Sequence, residues 1–460
     1  MNEILSRKEI LSAFRHSKSG MAGIMILAGL VFVSLYAAVG IPLESYKQWN
    51  NQAYWLDNPA SAAPAWTNIG LFGKSVEHTI LPLSSATVST SISNGLRTVS
   101  YSYNLDFNYD SYPSDFILTY NVNYQEMPPI LQLDVLRPDG LDMLVYYSDV
   151  PSSSSQSGDA VRRVFSTESS IANNLREYLG DFSYKQDTQR PQIMIFSVAD
   201  RQAVLKGTYI IRETFSFFED SDSLTDSRFV LGGKAYGLMG TDDQRRDLSI
   251  GIFWGAPVAL FIGLTVAIAS TLIGLIYGVI AGYKGKRTDE GLMRVSDLFY
   301  ALPALPLLII LSITVGKSIF LITGFLLIFA WVGMAKVSRS MALQIRNLEY
   351  VEAAKLMGES DIKVVFKHVI PQLLPFAFAS IAISVPGAIL GEAGLSFIGL
   401  GDPAIPTWGK ILHDANSAGA AARGLWWWMA PPGLMIAITG LAFVLIGSAL
   451  DTIVNPRSRR

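Results

Sequence analysis

Apolar residues run almost unbroken over six stretches of the chain, roughly 20–42, 252–282, 296–316, 318–338, 372–398 and 429–450. A helix needs about 20 such residues to cross the hydrocarbon core of a bilayer, so the pattern predicts six transmembrane helices. The second stretch is too long for one upright crossing. The pattern places Asp247–Gly255 near the interface and starts the crossing around Pro257, in a first turn that tolerates proline. Between the first and second stretches the pattern changes. "SYSYNLDFNYDSY" and "DFILTYNVNY" alternate apolar and polar positions with period two, as half-buried strands do. "ILQLDVLRPDGLDMLVYYSDV" reads as a hairpin turning at Pro138-Asp139-Gly140. "QIMIFSV" and "GTYIIRETFSFF" supply two more strands, "ESSIANNLREYLG" one helix ending at Gly180, and "PSSSSQSGDA" a polar loop. Strands at this spacing predict a β-sandwich.

Composition agrees with the pattern. Half of the 460 residues are hydrophobic and 16% are charged, against about 25% in soluble domains. There is no cysteine, which excludes disulfides and thiolate metal sites, and the four histidines are scattered. Charge is divided along the chain. Residues 41–248 hold 25 acidic and 16 basic side chains, and the remainder holds 13 and 20. Arg7, Lys8, Arg15 and Lys18 precede the first stretch. Lys284, Lys286, Arg287 and Arg294 follow the second, Lys336 to Lys367 follow the fourth, and Arg457, Arg459 and Arg460 close the chain. Basic loops stay in the cytoplasm. The reading is therefore an uncleaved first span, both termini cytoplasmic, and the acidic segment outside. Its boundaries are 1–42 for the N-terminus and first span, 43–248 for the external domain, and 249–460 for a five-span core.

One cytoplasmic segment stands apart, "EYVEAAKLMGESDIKVVFKHVIPQLLP" (349–375). It predicts a short helix, a break at Gly358 in the left-handed conformation, and a second helix capped by Ser360 or Asp361. Ile362, Val365, Phe366 and Val369 then form one apolar stripe, and Pro371 turns the chain before the fifth span. Ala353 and Ala354 carry little side chain, so another protein could approach closely. An amphipathic helix lying on lipid headgroups accounts for the same residues. These two readings stay open at this level.

The segment also resembles the EAA loop of permeases in binding-protein-dependent ABC importers. Glu352-Ala353-Ala354, Gly358 and Pro371 match that pattern, while His368 and Ile370 stand in place of its Ile and Leu. "LMGTDDQRRDLSIGIFWGA", "AGYKGKRTDEGLMRVSDLFYALP", "AILGEAGLSFIGLG", "PTWGKIL" and "NPRSRR" resemble, in order, the dipeptide and oligopeptide (nickel) branch, with Arg245 where that branch has Gly. Residues 43–237 have no counterpart in the resemblance. It implies a six-helix permease fold of the type I importer kind. It implies a coupling loop at 340–371 in which Tyr350, Glu352, Ala353, Ala354, Gly358, Ile370 and Pro371 meet an ATPase. The implied partners are a homologous permease subunit, two ATPase subunits that bind ATP and magnesium, an extracellular substrate-binding protein and the lipid bilayer. No cofactor, catalytic group or nucleic acid is expected in this chain. Peptides are the expected cargo, with oligosaccharide or nickel as alternatives and a membrane-anchored receptor or adhesin as a remote one.

Other features carry less. "FGKS" (72–75) and "VGKS" (315–318) lack the earlier glycine of a phosphate loop. Glu392, about 30 Å along the fifth span at 1.5 Å per residue, reads as an element of an outer gate. Asp297 reads as a helix-start carboxylate, "GTDDQRRD" as a solvated turn or a seat for the next helix, and Trp426–Trp428 as an interfacial aromatic belt. Glycines crowd the second and fifth stretches, for close packing or for a moving pathway.

Overall fold

The computed structural model describes residues 7–68, 74–93, 95–152, 159–179, 190–198 and 203–454. The chain divides into two compact units, one formed by Met1–Asn50 with Ile250–Arg460 and the other by Asn51–Ser249.

The helical unit opens with α1 (Arg7–His16), α2 (Lys18–Gly40) and α3 (Leu43–Lys47). Ser17 separates the first two, its hydroxyl accepting from Gly20 N at 3.2 Å, as an N-cap does. Residues 43–50 belong to this unit and not to the inserted one, which corrects the boundary at 43. Tyr46 stacks on Trp254 at 4.5 Å between ring centroids, and Asn50 donates to the Pro403 carbonyl at 2.6 Å.

The inserted unit contains β1 (Thr79–Pro82), β2 (Thr87–Ser93), β3 (Leu96–Phe107), β4 (Phe116–Asn123), β5 (Ile130–Leu136), β6 (Asp142–Asp149), β7 (Asp159–Phe165), α4 (Ser169–Leu179), α5 (Pro191–Phe196), β8 (Gly207–Phe217) and β9 (Ser223–Leu231). They form two sheets of antiparallel pairs, ordered β1-β9-β4-β7 and β2-β3-β8-β5-β6. Both sheets send side chains into one core, with Phe116, Tyr120 and Phe229 from the first and Tyr103, Phe107, Tyr209 and Phe215 from the second. This is the sandwich that the period-two alternation calls for. The β5–β6 hairpin turns with Gly140 at φ +84, a region open to glycine at little cost. Arg137 braces it, donating to Asp139 at 2.7 Å and to the Ser197 carbonyl at 2.8 Å. "QIMIFSV" is not a strand. It is the short helix α5, with Pro191 in its first turn and Met194, Ile195 and Phe196 buried. Gly180, Phe72 and Gly73, and most of the serine loop, lie outside the described residues.

"GTDDQRRD" is partly buried: Gly240, Thr241, Asp242 and Arg246 are covered, while Asp243 and Gln244 face outward. Asp242 and Arg246 form an ion pair at 2.5 Å with both side chains almost wholly covered. Thr241 Oγ1 accepts from Ala62 N at 2.9 Å and Asp242 O from Ser61 N at 2.8 Å. Arg245 lies in the left-handed region at φ +67, where a side chain is strained and glycine is favoured. Its guanidinium offsets that strain by donating to the Asn58 carbonyl at 2.7 Å and to the Asp115 carboxylate.

The chain returns to the helical unit with α6 (Leu248–Lys284), α7 (Lys286–Ala301), α8 (Ala304–Thr314), α9 (Ile319–Ile345), α10 (Glu349–Leu356), α11 (Asp361–Val364), α12 (Ile370–Phe397), α13 (Trp408–Ser417) and α14 (Trp426–Val454). Among the described residues, five helices are long and apolar enough to cross a membrane. The α7–α8 pair, bent by 73°, would make a sixth. The third apolar run is thus a broken element, because Pro303 follows the break and cannot continue α7. Pro257 lies well inside α6 instead of in a first turn. Nearby, Trp408 Nε1 donates to the Ile252 carbonyl at 2.8 Å. Asp297 sits near the C-terminal end of α7 and pairs with Lys336 at 2.8 Å, so a charge partner and not a helix start accounts for it. Trp427 and Trp428 are buried, leaving Trp426 exposed. Gly274, Gly278 and Gly282, one turn apart, press α6 onto α9. A Cβ at Gly278 would lie 2.1 Å from the Ala335 carbonyl oxygen. Gly387 and Gly394 on α12 face open space.

Candidate functional site

The segment between α9 and α12 is built on its own break. The end of α10 is closed by backbone bonds from Met357 N to Ala353 O at 3.0 Å and Glu359 N to Ala354 O at 3.2 Å, the pattern that terminates helices with a left-handed residue. Gly358 supplies that residue at φ +83. Ser360 occupies the cap position of α11 without a side-chain capping bond, and Asp361 instead accepts from Tyr283 Oη at 3.1 Å. After α11 comes one π turn, Val365–Val369, that runs directly into α12. Pro371 therefore does not redirect the chain. It sits where the π turn passes into α12, inside one continuous run from Asp361 to Phe397.

The π turn also corrects the expected stripe. Val364, Val365 and Val369 are buried, while Ile362 and Phe366 are exposed. A turn closed by i→i+5 bonds changes the phase that a 3.6-residue period assumes.

The inner side of α10 is seated firmly. Val351 and Ala354 pack with Leu275, Val279 and Tyr283 of α6 and with Ile370 and Leu373 of α12. Lys355 lies over the Tyr283 ring at 4.5 Å. Of the expected site residues, Tyr350, Glu352, Ala353 and Pro371 are exposed, whereas Ala354 and Ile370 are buried. Ala354 thus fits α10 to its support and offers nothing to an outside partner, which corrects the expectation for that residue. Sequence reasoning missed the outward group. Leu356, Met357, Ile362 and Phe366 are 89%, 77%, 71% and 53% exposed. The available signal was Leu356-Met357 directly before Gly358, two large apolar residues at a helix end.

Glu392 is not brought to this segment. It lies near the other end of α12, 4% exposed, where Ser396 Oγ donates to it at 2.6 Å and the Thr407 hydroxyl also bonds to it. Thr407 is in turn the N-cap of α13, accepting from Lys410 N at 3.2 Å. The carboxyl therefore joins α12 to the start of α13.

The helical unit thus combines long apolar helices with a seated α10, a left-handed break and an exposed apolar rim beside it. The chain belongs to the family of binding-protein-dependent transport system inner membrane components, whose model matches residues 274–460. It is a permease subunit of an ABC importer, homologous to peptide transport permeases. It is 36% identical over 222 residues to the dipeptide transport system permease protein DppC of Bacillus subtilis, covering 48% of this chain and 69% of that one. To the oligopeptide transport system permease protein OppC of the same organism it is also 36% identical, covering 48% and 72%. Among solved structures, the inward-facing MetNI methionine ABC transporter aligns with 46% of this chain and 97% of that chain, at 20% identity and a TM-score of 0.37.

Proposed function

We propose that this chain carries peptides across a cell membrane as one of two homologous permease subunits, with two ATPase subunits on the cytoplasmic side and a substrate-binding protein outside. In this reading α2, α6, the α7–α8 pair, α9, the α11–α12 helix and α14 are the six spans. Both termini and the 340–371 loop are cytoplasmic, and the inserted unit is external. ATP and magnesium belong to the partner subunits, and this chain supplies no catalytic group. Glu392 then lies toward the outer side. Transport is by alternating access. Nucleotide binding moves the ATPases, the loop moves with them, and the shift extends only as far as the partners bind the two states with different affinity.

The carrying observation is the exposed rim of Leu356, Met357, Ile362 and Phe366. An apolar group left uncovered beside a rigidly seated helix fits a protein interface. Tyr350, Glu352, Ala353 and Gly358 flank that rim and are read as contacts, with Ala354, Ile370 and Pro371 as its support. The peptide cargo is carried over from the relatives' names. The test is co-purification with the ATPase and partner permease subunits, followed by uptake of a labelled peptide into proteoliposomes. Leu356→Asp with Met357→Asp should release the ATPase and abolish uptake while the chain stays in the membrane. Retained ATPase and undiminished uptake would remove the loop from the mechanism.

A further inference from the structure

Directly after the break, one carboxylate gathers two lysines and a histidine. Glu359 accepts from His368 Nε2 at 2.7 Å, from Lys363 Nζ at 3.1 Å and from Lys367 Nζ at 3.2 Å. Lys363 closes α11, and the other two lie in the π turn. Glu359 itself belongs to neither helix. It stands between Gly358, where the backbone is left-handed, and Ser360, whose side chain makes no cap. Its carboxylate also sits at the start of α11, where negative charge is favoured.

The π turn explains how the three meet. Lys363 and Lys367 are four apart and share a face in any helix. His368 is five residues from Lys363. In an α-helix five residues carry a side chain about 140° round the axis, away from that face. A turn closed by i→i+5 bonds returns the fifth residue nearly above the first. The extra residue thus swings His368 onto the lysine face, within reach of Glu359. Returning the turn to α register would carry His368 away and break the contact.

We propose that Glu359 is a positioning residue that holds the π turn in register through Lys363, Lys367 and His368, and thereby makes α10 and α12 move as one body. The proposal rests on the reading of 349–371 as the segment driven by the ATPase. Val351 and Ala354 already pack α10 on Ile370 and Leu373; without the latch Gly358 has no side chain to stiffen it, and part of the movement of α10 is lost at the break. With it, displacement of α10 passes through the carboxylate and the π turn into a helix that runs unbroken to Phe397. The contact is ionic and accessible to water, so salt screens it. Hydrogen bonds, from His368 first and then from Lys363 and Lys367, hold the Glu359 carboxyl well below the usual carboxylate range, at about 2, so it stays charged at ordinary cytoplasmic pH.

The experiment uses the assembled complex in proteoliposomes and reads ATP hydrolysed against peptide taken up. Glu359→Gln and His368→Ile should each keep the ATPase bound and hydrolysing but lower uptake per ATP several-fold. High salt should lower the ratio for the native protein and leave Glu359→Gln unchanged. The chain has no cysteine, so Glu359→Cys with His368→Cys can be joined by a short thiol crosslinker. Joining them should restore the ratio, which a loss of charge alone would not. Native coupling in Glu359→Gln, or a crosslinked pair that stays uncoupled, overturns the latch. Loss of the ATPase only in Leu356→Asp with Met357→Asp keeps the docking reading separate. If that variant still binds the ATPase, the docking reading fails and the latch reading falls with it.

Discussion

The two units differ in what fills them. Of the largest wholly buried side chains, Trp49 and Trp428 belong to the helical unit, whereas Tyr103, Phe107, Phe116, Tyr120, Tyr146, Tyr209, Phe215 and Phe217 all lie in the inserted unit. In the helical unit Gly263, Gly274, Gly278 and Gly282 let α6 approach its neighbours closely, while Phe32, Leu35, Phe320 and Phe378 point outward. The solvent accounts for the difference. Water drives large apolar groups inward because their transfer is favourable. Hydrocarbon gives no such gain, so helices associate where small residues let backbones touch. Ser338 Oγ bonds across to the Gly274 carbonyl at 2.9 Å, whereas Glu213 lies wholly buried in the aromatic sandwich with Ser227 Oγ at 2.6 Å.

The contrast can be broken by substitutions of opposite size, taken from the largest expected effect downward. Phe215→Ala should cost the inserted unit about 3–5 kcal/mol, read as lowered resistance to proteolysis of that unit in the full chain. Gly278→Val adds bulk where the Ala335 carbonyl leaves no room. It should cost about 1–3 kcal/mol or more by overpacking, read as thermal unfolding in detergent. Equal tolerance of both substitutions would end the comparison. A third contrast lies within α10. Ala354→Trp should lower the abundance of the folded chain, because Ala354 is buried, whereas Ala353→Trp should leave abundance intact and weaken ATPase association.

The fourth prediction concerns pH. Burial pushes the Glu213 carboxyl up to about 8, although Ser227 bonds to it. Below its unfolded value, near the ordinary 4.5, the group is protonated in both states and its contribution to stability is fully present. As pH rises toward 8 the unfolded chain releases the proton first, so stability falls. The inserted unit should therefore resist unfolding better at pH 5 than at pH 8, and Glu213→Gln should flatten the dependence. A native unit that gains stability over that range would refute the sign. The smallest effect is expected from Phe32→Ala. Its side chain is 70% exposed on α2, and loss of a lipid-facing ring should shift detergent unfolding by less than about 0.5 kcal/mol.

Much of this was legible. Alternation marked β3, β4, β5, β6 and β8, and the Pro-Asp-Gly turn marked a hairpin, because each signal depends on neighbours in sequence. "QIMIFSV" misled because a short apolar run has no period of its own. Pro191, set just before it, was the available sign of a helix start. The stripe on 362–369 misled for a different reason. Its phase assumed 3.6 residues per turn, and one π turn changed which side chains face inward. Gly358 was legible as a left-handed break, but the burial of Ala354 was not, since it depends on Leu275 and Tyr283 of a distant helix. The Glu359 contacts required the same unforeseen turn.

The seam of the inserted unit has a practical consequence. Ser61, Ala62 and Ala63 near its start bond to Asp242, Thr241 and Lys234 near its end. Asn58 and Arg245 bond reciprocally, through Arg245 Nη1 to Asn58 O at 2.7 Å and Asn58 Nδ2 to Arg245 O at 3.0 Å. Entry and exit are thus stitched side by side, the arrangement that lets a module be spliced into a host without pulling its ends apart. A graft that took only 64–234 would cut the thread and leave Arg245 behind in a conformation it adopts only with Asn58 and Asp115 present. The portable cassette runs from Asn51 to Ser249, and it carries Arg245 together with Asn58 and Asp115.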